Sequence, residues 1–297
     1  MNHKLIKIDN MKKALLVLIL SAFLLPAFCQ EDTSNQKSSD PVTSTFGTTV
    51  LIDNPTIMNV EKGKLQFQIK HRFSNISTIK DLYGIYGSAN TRLGLDYGIT
   101  DRIMVGVGTT KDYKLQDLNW KVLILRQTED NKMPVSLSYY GNVVIDARTD
   151  DSFGPTASYK FIHRFSYFTE LIVARKLSEK ISVQVAPSMA YFNSVPQYTA
   201  DSTYKNLNFG LSVGARANLF GNHSLIVEYD QLLTKQPKIT STKPNLSIGW
   251  EIGTPTHAFQ IFVANYNQII NQRNLVFNTN DFKNWEFLFG FNITVRF

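Results

Sequence analysis

The stretch Trp285-Glu286-Phe287-Leu288-Phe289-Gly290-Phe291-Asn292-Ile293-Thr294-Val295-Arg296-Phe297 places a large apolar side chain at every odd position. Glu286, Asn292, Thr294 and Arg296 hold even positions, and Leu288 is the one large apolar residue among them. Side chains of a strand alternate between its two faces, so this pattern describes a strand with one apolar and one polar face. A soluble strand averages about 5–6 residues, whereas a tilted bilayer crossing needs about 9–11. This run suits the second.

The same period recurs upstream. Leu65, Phe67, Ile69, His71 and Phe73 alternate with Lys64, Gln66, Gln68, Lys70 and Arg72, and the runs 89–98 and 207–218 behave alike. Twelve such segments fall at about 63–73, 88–98, 101–111, 117–127, 134–146, 166–177, 180–193, 206–218, 222–233, 244–253, 256–266 and 285–297. Segments 134–146 and 166–177 are the least regular. Links at Ile99-Thr100, Ser178-Glu179, Phe220-Gly221-Asn222 and Thr254-Pro255 are tight, while most of the intervening links are long. Tight turns on one side and longer loops on the other are the pattern of an outer-membrane barrel. The chain is therefore expected to be all-β: a closed antiparallel up-and-down transmembrane β-barrel of about 12 strands.

Alternation by itself also fits a soluble sandwich or a lipocalin-like barrel with the faces reversed. Strand length favours the membrane form. So do aromatic residues near segment ends, such as Tyr97, Trp120, Tyr139, Tyr140, Trp250 and Phe297, because rings collect at both water–lipid boundaries. Lipid then surrounds the apolar face, and polar residues line the lumen. Arg72, Arg92, Asp96, Arg216, Glu228, Asp230, Glu286 and Arg296 are the charged lumen candidates. Arg72 and Arg92 lie on adjacent strands, with Asp96 and Glu286 as expected partners. An ion network bracing the wall is the plainer reading of these residues, and a selectivity role is the sharper one.

Composition agrees with this reading. Of 297 residues 43% are hydrophobic and only 19% charged, and 20 Phe with 13 Tyr favour strands. Lys12 and Lys13, the apolar run 14–25 and small residues before a cut after Cys29 read as a secretory signal peptide over 1–29. The run is too short for a membrane-spanning helix, and Phe28 disfavours acylation of Cys29. Cleavage there leaves no cysteine, hence no disulfide or thiol chemistry. It also lowers the formal charge from +7 to +4, a surplus too small and scattered for nucleic-acid binding. Residues 30–47, rich in Ser, Thr, Asp and Asn, read as a flexible periplasmic lead-in, and 48–297 as the barrel. The expected location is the bacterial outer membrane. The expected partners are its lipid and the barrel-insertion machinery, which would read Phe291, Ile293, Val295 and the terminal Phe297.

Several stretches resemble a bacterial outer-membrane β-barrel family catalogued as a domain of unknown function. They are Lys70-His71-Arg72-Phe73, the run 90–102, Val105-Gly106-Val107-Gly108, Leu123-Ile124-Leu125-Arg126-Gln127, the run 171–178, Val185-Ala186-Pro187, Leu246-Ser247-Ile248-Gly249-Trp250 and Gly290-Phe291-Asn292-Ile293. The resemblance covers about residues 46–297. It implies a membrane or secreted barrel and carries no established activity and no catalytic residue.

Enzymatic chemistry finds little support. Gly210-Leu211-Ser212-Val213-Gly214 matches a nucleophile elbow, but that motif needs a strained strand-to-helix turn and here lies within an alternating strand. His71 and His223 fall on the apolar register, and His163 lies in a loop or frayed strand. Asp146, Asp150 and Asp151 cluster with Arg148 in a long loop, where a solvated tip outweighs a cation site. No cofactor or metal is expected, and no enzyme. The functional expectation is a narrow channel or scaffold for small polar solutes. A lipid-active outer-membrane hydrolase, or a structural barrel acting through its loops, is the alternative.

Overall fold

The structure, a computed structural model, describes residues 38–76, 79–153, 158–199, 202–237 and 242–297. The signal-peptide reading and the first part of the lead-in lie outside these residues. Twelve strands form the wall: β1 (Leu65–Asn75), β2 (Asn90–Thr100), β3 (Ile103–Thr110), β4 (Leu115–Leu125), β5 (Ser136–Asp146), β6 (Phe165–Lys176), β7 (Ile181–Phe192), β8 (Leu207–Phe220), β9 (His223–Leu232), β10 (Asn245–Gly253), β11 (His257–Ala264) and β12 (Leu288–Arg296). Each pairs antiparallel with its chain neighbours, and β1 closes on β12, with Phe67 opposite Val295 and Lys70 opposite Asn292. Closure leaves the wall without a free strand edge, which is what a sheet needs in hydrocarbon.

The two faces divide as the alternation predicts. Leu93, Leu95, Phe209, Ile248, Phe259 and Ile261 are exposed on the outer wall. Gln66, Gln68, Arg92, Asn119, Gln184 and Glu251 are buried inside it. Strand β12 begins at Leu288 rather than at Trp285, because Phe282–Asn284 forms a 3-10 turn and Trp285 takes a left-handed backbone with φ 60°. Leu288, the exception on the polar face, is fully buried in an interior apolar cluster with Phe46, Leu51, Ile226 and Phe262. Substituting Ile261, 66% exposed at the middle of β11, tests the direction of the faces. Ile261→Arg is expected to destabilise the barrel by about 2–4 kcal/mol in equilibrium unfolding from vesicles. A change within about 0.5 kcal/mol, as at a watery surface, would contradict lipid contact.

The lead-in departs from the sequence reading. Pro41 bridges to Thr128, the Val42 N–H donates to the Gln127 carbonyl, and Ser39 Oγ donates to Asp130 Oδ2 at 2.7 Å. From this anchor on the β4–β5 turn the chain enters the barrel. Phe46, Leu51 and Ile52 are buried there, and the chain leaves again to start β1. Residues 38–47 are therefore docked, and the first wall strand starts at Leu65, within the expected segment 63–73. The polar content that suggests a free tail is held in two ways: Ser39 is bound to the β4–β5 turn, and Thr45 is buried beside Phe46 at the entry to the barrel.

Candidate functional site in the plugged lumen

Two segments fill the bore. The first is a hairpin entering from the end that carries the tight turns. The Thr56 N–H donates to the Thr49 carbonyl at 2.9 Å and the Leu51 N–H to the Asn54 carbonyl at 2.8 Å, which sets a tight tip at Leu51–Asn54. This tip is held by the wall on every side. Glu228 of β9 accepts the N–H groups of Ile52 and Asn54 at 2.9 and 2.8 Å, and that of Asp53 at 3.2 and 3.1 Å to its two oxygens. Opposite, the Asp53 carboxylate takes Arg72 Nη2 at 2.8 Å and Lys70 Nζ at 3.3 Å, both from β1. Asn292 of β12 donates to the Ile52 carbonyl at 2.7 Å, and Asn54 Nδ2 donates to Asp230 at 2.6 Å.

Further along the hairpin, Lys121 and Gln184 donate to the Thr49 and Pro55 carbonyls at 3.1 and 3.0 Å. The other flank of the hairpin is apolar, seated on Ile172, Ile226, Phe262 and Leu288.

The second segment is the β11–β12 loop, folded inward from the long-loop end and carrying the one-turn-plus helix α1 (Asn271–Phe277). Tyr266, Gln272 and Val276 are fully buried. Gln272 donates to Asn142 and Ser166 at 3.0 and 3.2 Å. Leu275 packs against Gly210, where any Cβ would collide with it. The two segments meet at the hairpin tip: Tyr266 Oη donates to Glu228 Oε2 at 3.2 Å, and Asn271 Nδ2 to the Asp53 carbonyl at 3.4 Å. Beside the contact lies a polar cavity of about 40 Å³ lined by Lys70, Arg92, Asp117 and Lys121, room for a few waters. Below the hairpin, a vestibule of about 650 Å³ opens at the turn end between Lys64, Arg216 and Arg296.

Seven of the eight charged lumen candidates sit on wall strands. Arg72 meets Asp53 of the hairpin, Asn292 at 3.0 Å and the face of the Phe262 ring at 4.4 Å. Arg92 forms a two-point pair with Asp117 at 2.9 and 2.6 Å. The expected partners Asp96 and Glu286 are therefore replaced. Asp96 instead accepts from Gln66 and Gln68 at 3.2 and 2.9 Å, and a Cβ at Gly106 or Gly108 would collide with Asp96 or Arg92. Arg216 pairs with Glu251 at 2.8 Å, and Arg296 donates to the Gly47 carbonyl at 2.6 Å. Glu286 lies off the lumen wall: it precedes β12 and accepts from the Asp281 N–H within the loop, because the 3-10 turn ahead of it breaks the alternation. Phe291, Ile293 and Val295 line the outer face of β12, and Phe297 is exposed beyond it.

Sequence reasoning missed Asp53, Asp117, Lys121, Glu170 and Glu251. Of these, Glu170 is buried on β6 with neither carboxylate oxygen in a hydrogen bond. The charges are unevenly spread: Lys70, Arg72, Arg92 and Lys121 of β1, β2 and β4 outnumber Asp96 and Asp117 on the same strands, whereas Glu170, Glu228, Asp230 and Glu251 of β6, β9 and β10 outnumber Arg216 of the neighbouring β8. A transverse polarity of this kind acts strongly on any charged group placed between the two sides.

The candidates for other chemistry are dispersed. His163 Nδ1 accepts from the Lys160 N–H in a loop turn, while Ser212 is buried within β8. His71 stacks on Phe291 with centroids 5.0 Å apart, and His223 accepts from Trp250 Nε1 at 3.0 Å. Asp146 and Asp150 are paired with Arg148 and Arg164. Among the described residues no group of three or more His, Cys, Asp or Glu could hold a metal ion. At the long-loop end Lys243 pairs with Asp281 at 3.0 Å. That hydrogen bond, with one from the Lys283 N–H, holds the Asp281 carboxyl below the usual carboxylate range.

Solved structures share this architecture. The NanC porin aligns with a TM-score of 0.51 at 6% identity, over 78% of this chain and 98% of its own. A COG4313 outer membrane channel from Pseudomonas putida F1 aligns with a TM-score of 0.50 at 10% identity, over 81% and 98%. At such identities the likeness is one of fold. No curated protein is significantly similar in sequence. The sequence does match, over residues 46–297, a family described as a membrane bound beta barrel domain. That span takes in both the inserted hairpin and every wall strand, and the chain belongs to this family, DUF5777.

Proposed function

We propose that the protein is a gated outer-membrane channel for small polar solutes, closed in this structure by its own N-terminal hairpin and inward loop. The observation that carries this reading is the chemistry of the hairpin tip. Its backbone and side chains are held by carboxylates, guanidinium and amide groups of the wall, each of which water or a polar solute can satisfy equally well once the tip withdraws. A barrel needing only a filler gains more from close-packed apolar residues than from buried ion pairs, which often break even at best. The similar folds of a porin and an outer membrane channel support the same reading by analogy.

Planar-bilayer recording tests it. The full chain is expected to give rare, brief current steps. A chain lacking residues 38–60, with the β11–β12 loop replaced by a short Gly-Ser turn, is expected to give sustained ones. Silence from the doubly trimmed protein, once its heat-modifiable migration shows a folded barrel, would overturn the proposal.

A further inference from the structure

The hairpin tip also indicates what the lumen is built to bind. Asp53 reaches opposite poles of the wall through its own Cα and Cβ: its N–H points at Glu228 and its carboxylate at Arg72 and Lys70. In Asp53 the nitrogen and the carboxyl carbon are separated by Cα and Cβ, one carbon more than in a free amino acid and fewer atoms than in a dipeptide, so a small zwitterion of either kind can carry a donor nitrogen and a carboxylate to the same two poles. Next to them Asn292 donates to a peptide carbonyl, and Asp230 accepts from an amide. The charges agree. With the tip withdrawn, two wall cations, Lys70 and Arg72, face two wall carboxylates, Glu228 and Asp230. A simple anion or cation satisfies one side only and adds net charge. A zwitterion satisfies both and adds none.

We infer that Lys70, Arg72 and Asn292 on one side and Glu228 and Asp230 on the other form a binding site for zwitterionic amino acids and short peptides, and that Asp53 occupies it as a tethered stand-in. This rests on the reading of a lumen that the hairpin can vacate. Ligand and tip then compete for the same donors and acceptors, so binding of one is release of the other. The tether gives the tip a high effective concentration, so solute succeeds only by matching both poles.

The test uses the full chain in detergent and three probes: glycylglycine, N-acetylglycine (carboxylate without ammonium) and glycinamide (ammonium without carboxylate). Hydrogen exchange at Ile52, Asp53 and Asn54 reports tip release. Glycylglycine is expected to accelerate it at concentrations at least about tenfold below either single-charge probe, the factor one charge-assisted hydrogen bond supplies. In calorimetry on an Asp53→Asn chain, adding Glu228→Gln should erase the preference over N-acetylglycine, and adding Arg72→Gln the preference over glycinamide. Lys70→Met serves in place of Arg72→Gln if that variant does not fold. Equal effects of the three probes, or preferences that survive these changes, would refute the site. Selective release without current would remove the channel and keep the site; current without selectivity would do the reverse.

Discussion

Glu228→Ala is expected to raise the open probability of the full chain in planar bilayers by about two to three orders of magnitude. One carboxylate accepts three N–H groups of the hairpin tip and the hydroxyl of Tyr266 from the inward loop. Hydrogen bonds to a charged group contribute about 1.5–3 kcal/mol each and add incompletely, so the loss is about 3–5 kcal/mol. At about 1.4 kcal/mol per tenfold, the closed state loses most of its advantage. Both obstructions lose the same anchor, so a single residue loosens them together. Removing Asn54 Nδ2 alone, by Asn54→Ala, forfeits one bond to Asp230 and should change open probability by about tenfold. If Glu228→Ala and Asn54→Ala prove equally silent while folded, the shared anchor does not govern closure.

The second large effect falls on the seam. Arg72→Met is expected to destabilise the barrel by about 3–5 kcal/mol, because it strips a partner from a buried carboxylate. Arg72 is wholly buried and lies where β1 meets β12, binding Asp53, Asn292 and the Phe262 ring at once. Lys70, at 3.3 Å from Asp53, is the weaker partner. The double change Asp53→Asn with Arg72→Met should recover about 1–3 kcal/mol of the loss, since no buried carboxylate is then left without its guanidinium, while the part owed to Lys70, which loses Asp53, stays unrecovered. Urea midpoints of the four-protein cycle measure this. Additive losses would mean that Arg72 acts through packing and not through the pair.

Where a wall strand faces lipid on one side and polar groups on the other, its course was legible in the residues. β2, with Leu93, Leu95 and Tyr97 outside and Arg92 and Asp96 inside, is such a strand, and so is β12. The blurred segments 134–146 and 166–177 have a physical cause. On β5 and β6 the lumen face carries Tyr140, Val144, Phe168 and Ile172 against the apolar sides of the hairpin and the inward loop, interspersed with polar residues such as Asn142 and Glu170, so the contrast between the two faces is lost. The cations of the site were readable from alternation, but their partners were not. Asp53 lies on a segment with no period at all, and Glu170 is flanked on its own face by Phe168 and Ile172. Asp117 and Lys121 were within reach, because Asp117, Asn119 and Lys121 alternate with Leu118, Trp120 and Val122.

The position of the hairpin upstream of β1 constrains how the molecule is put together. Its seat draws on β1, β9, β10 and β12, so the seat is incomplete until the last strand has joined the first. The hairpin can therefore take its full set of bonds only once the ring of strands is complete, so seating it is the last act of assembly.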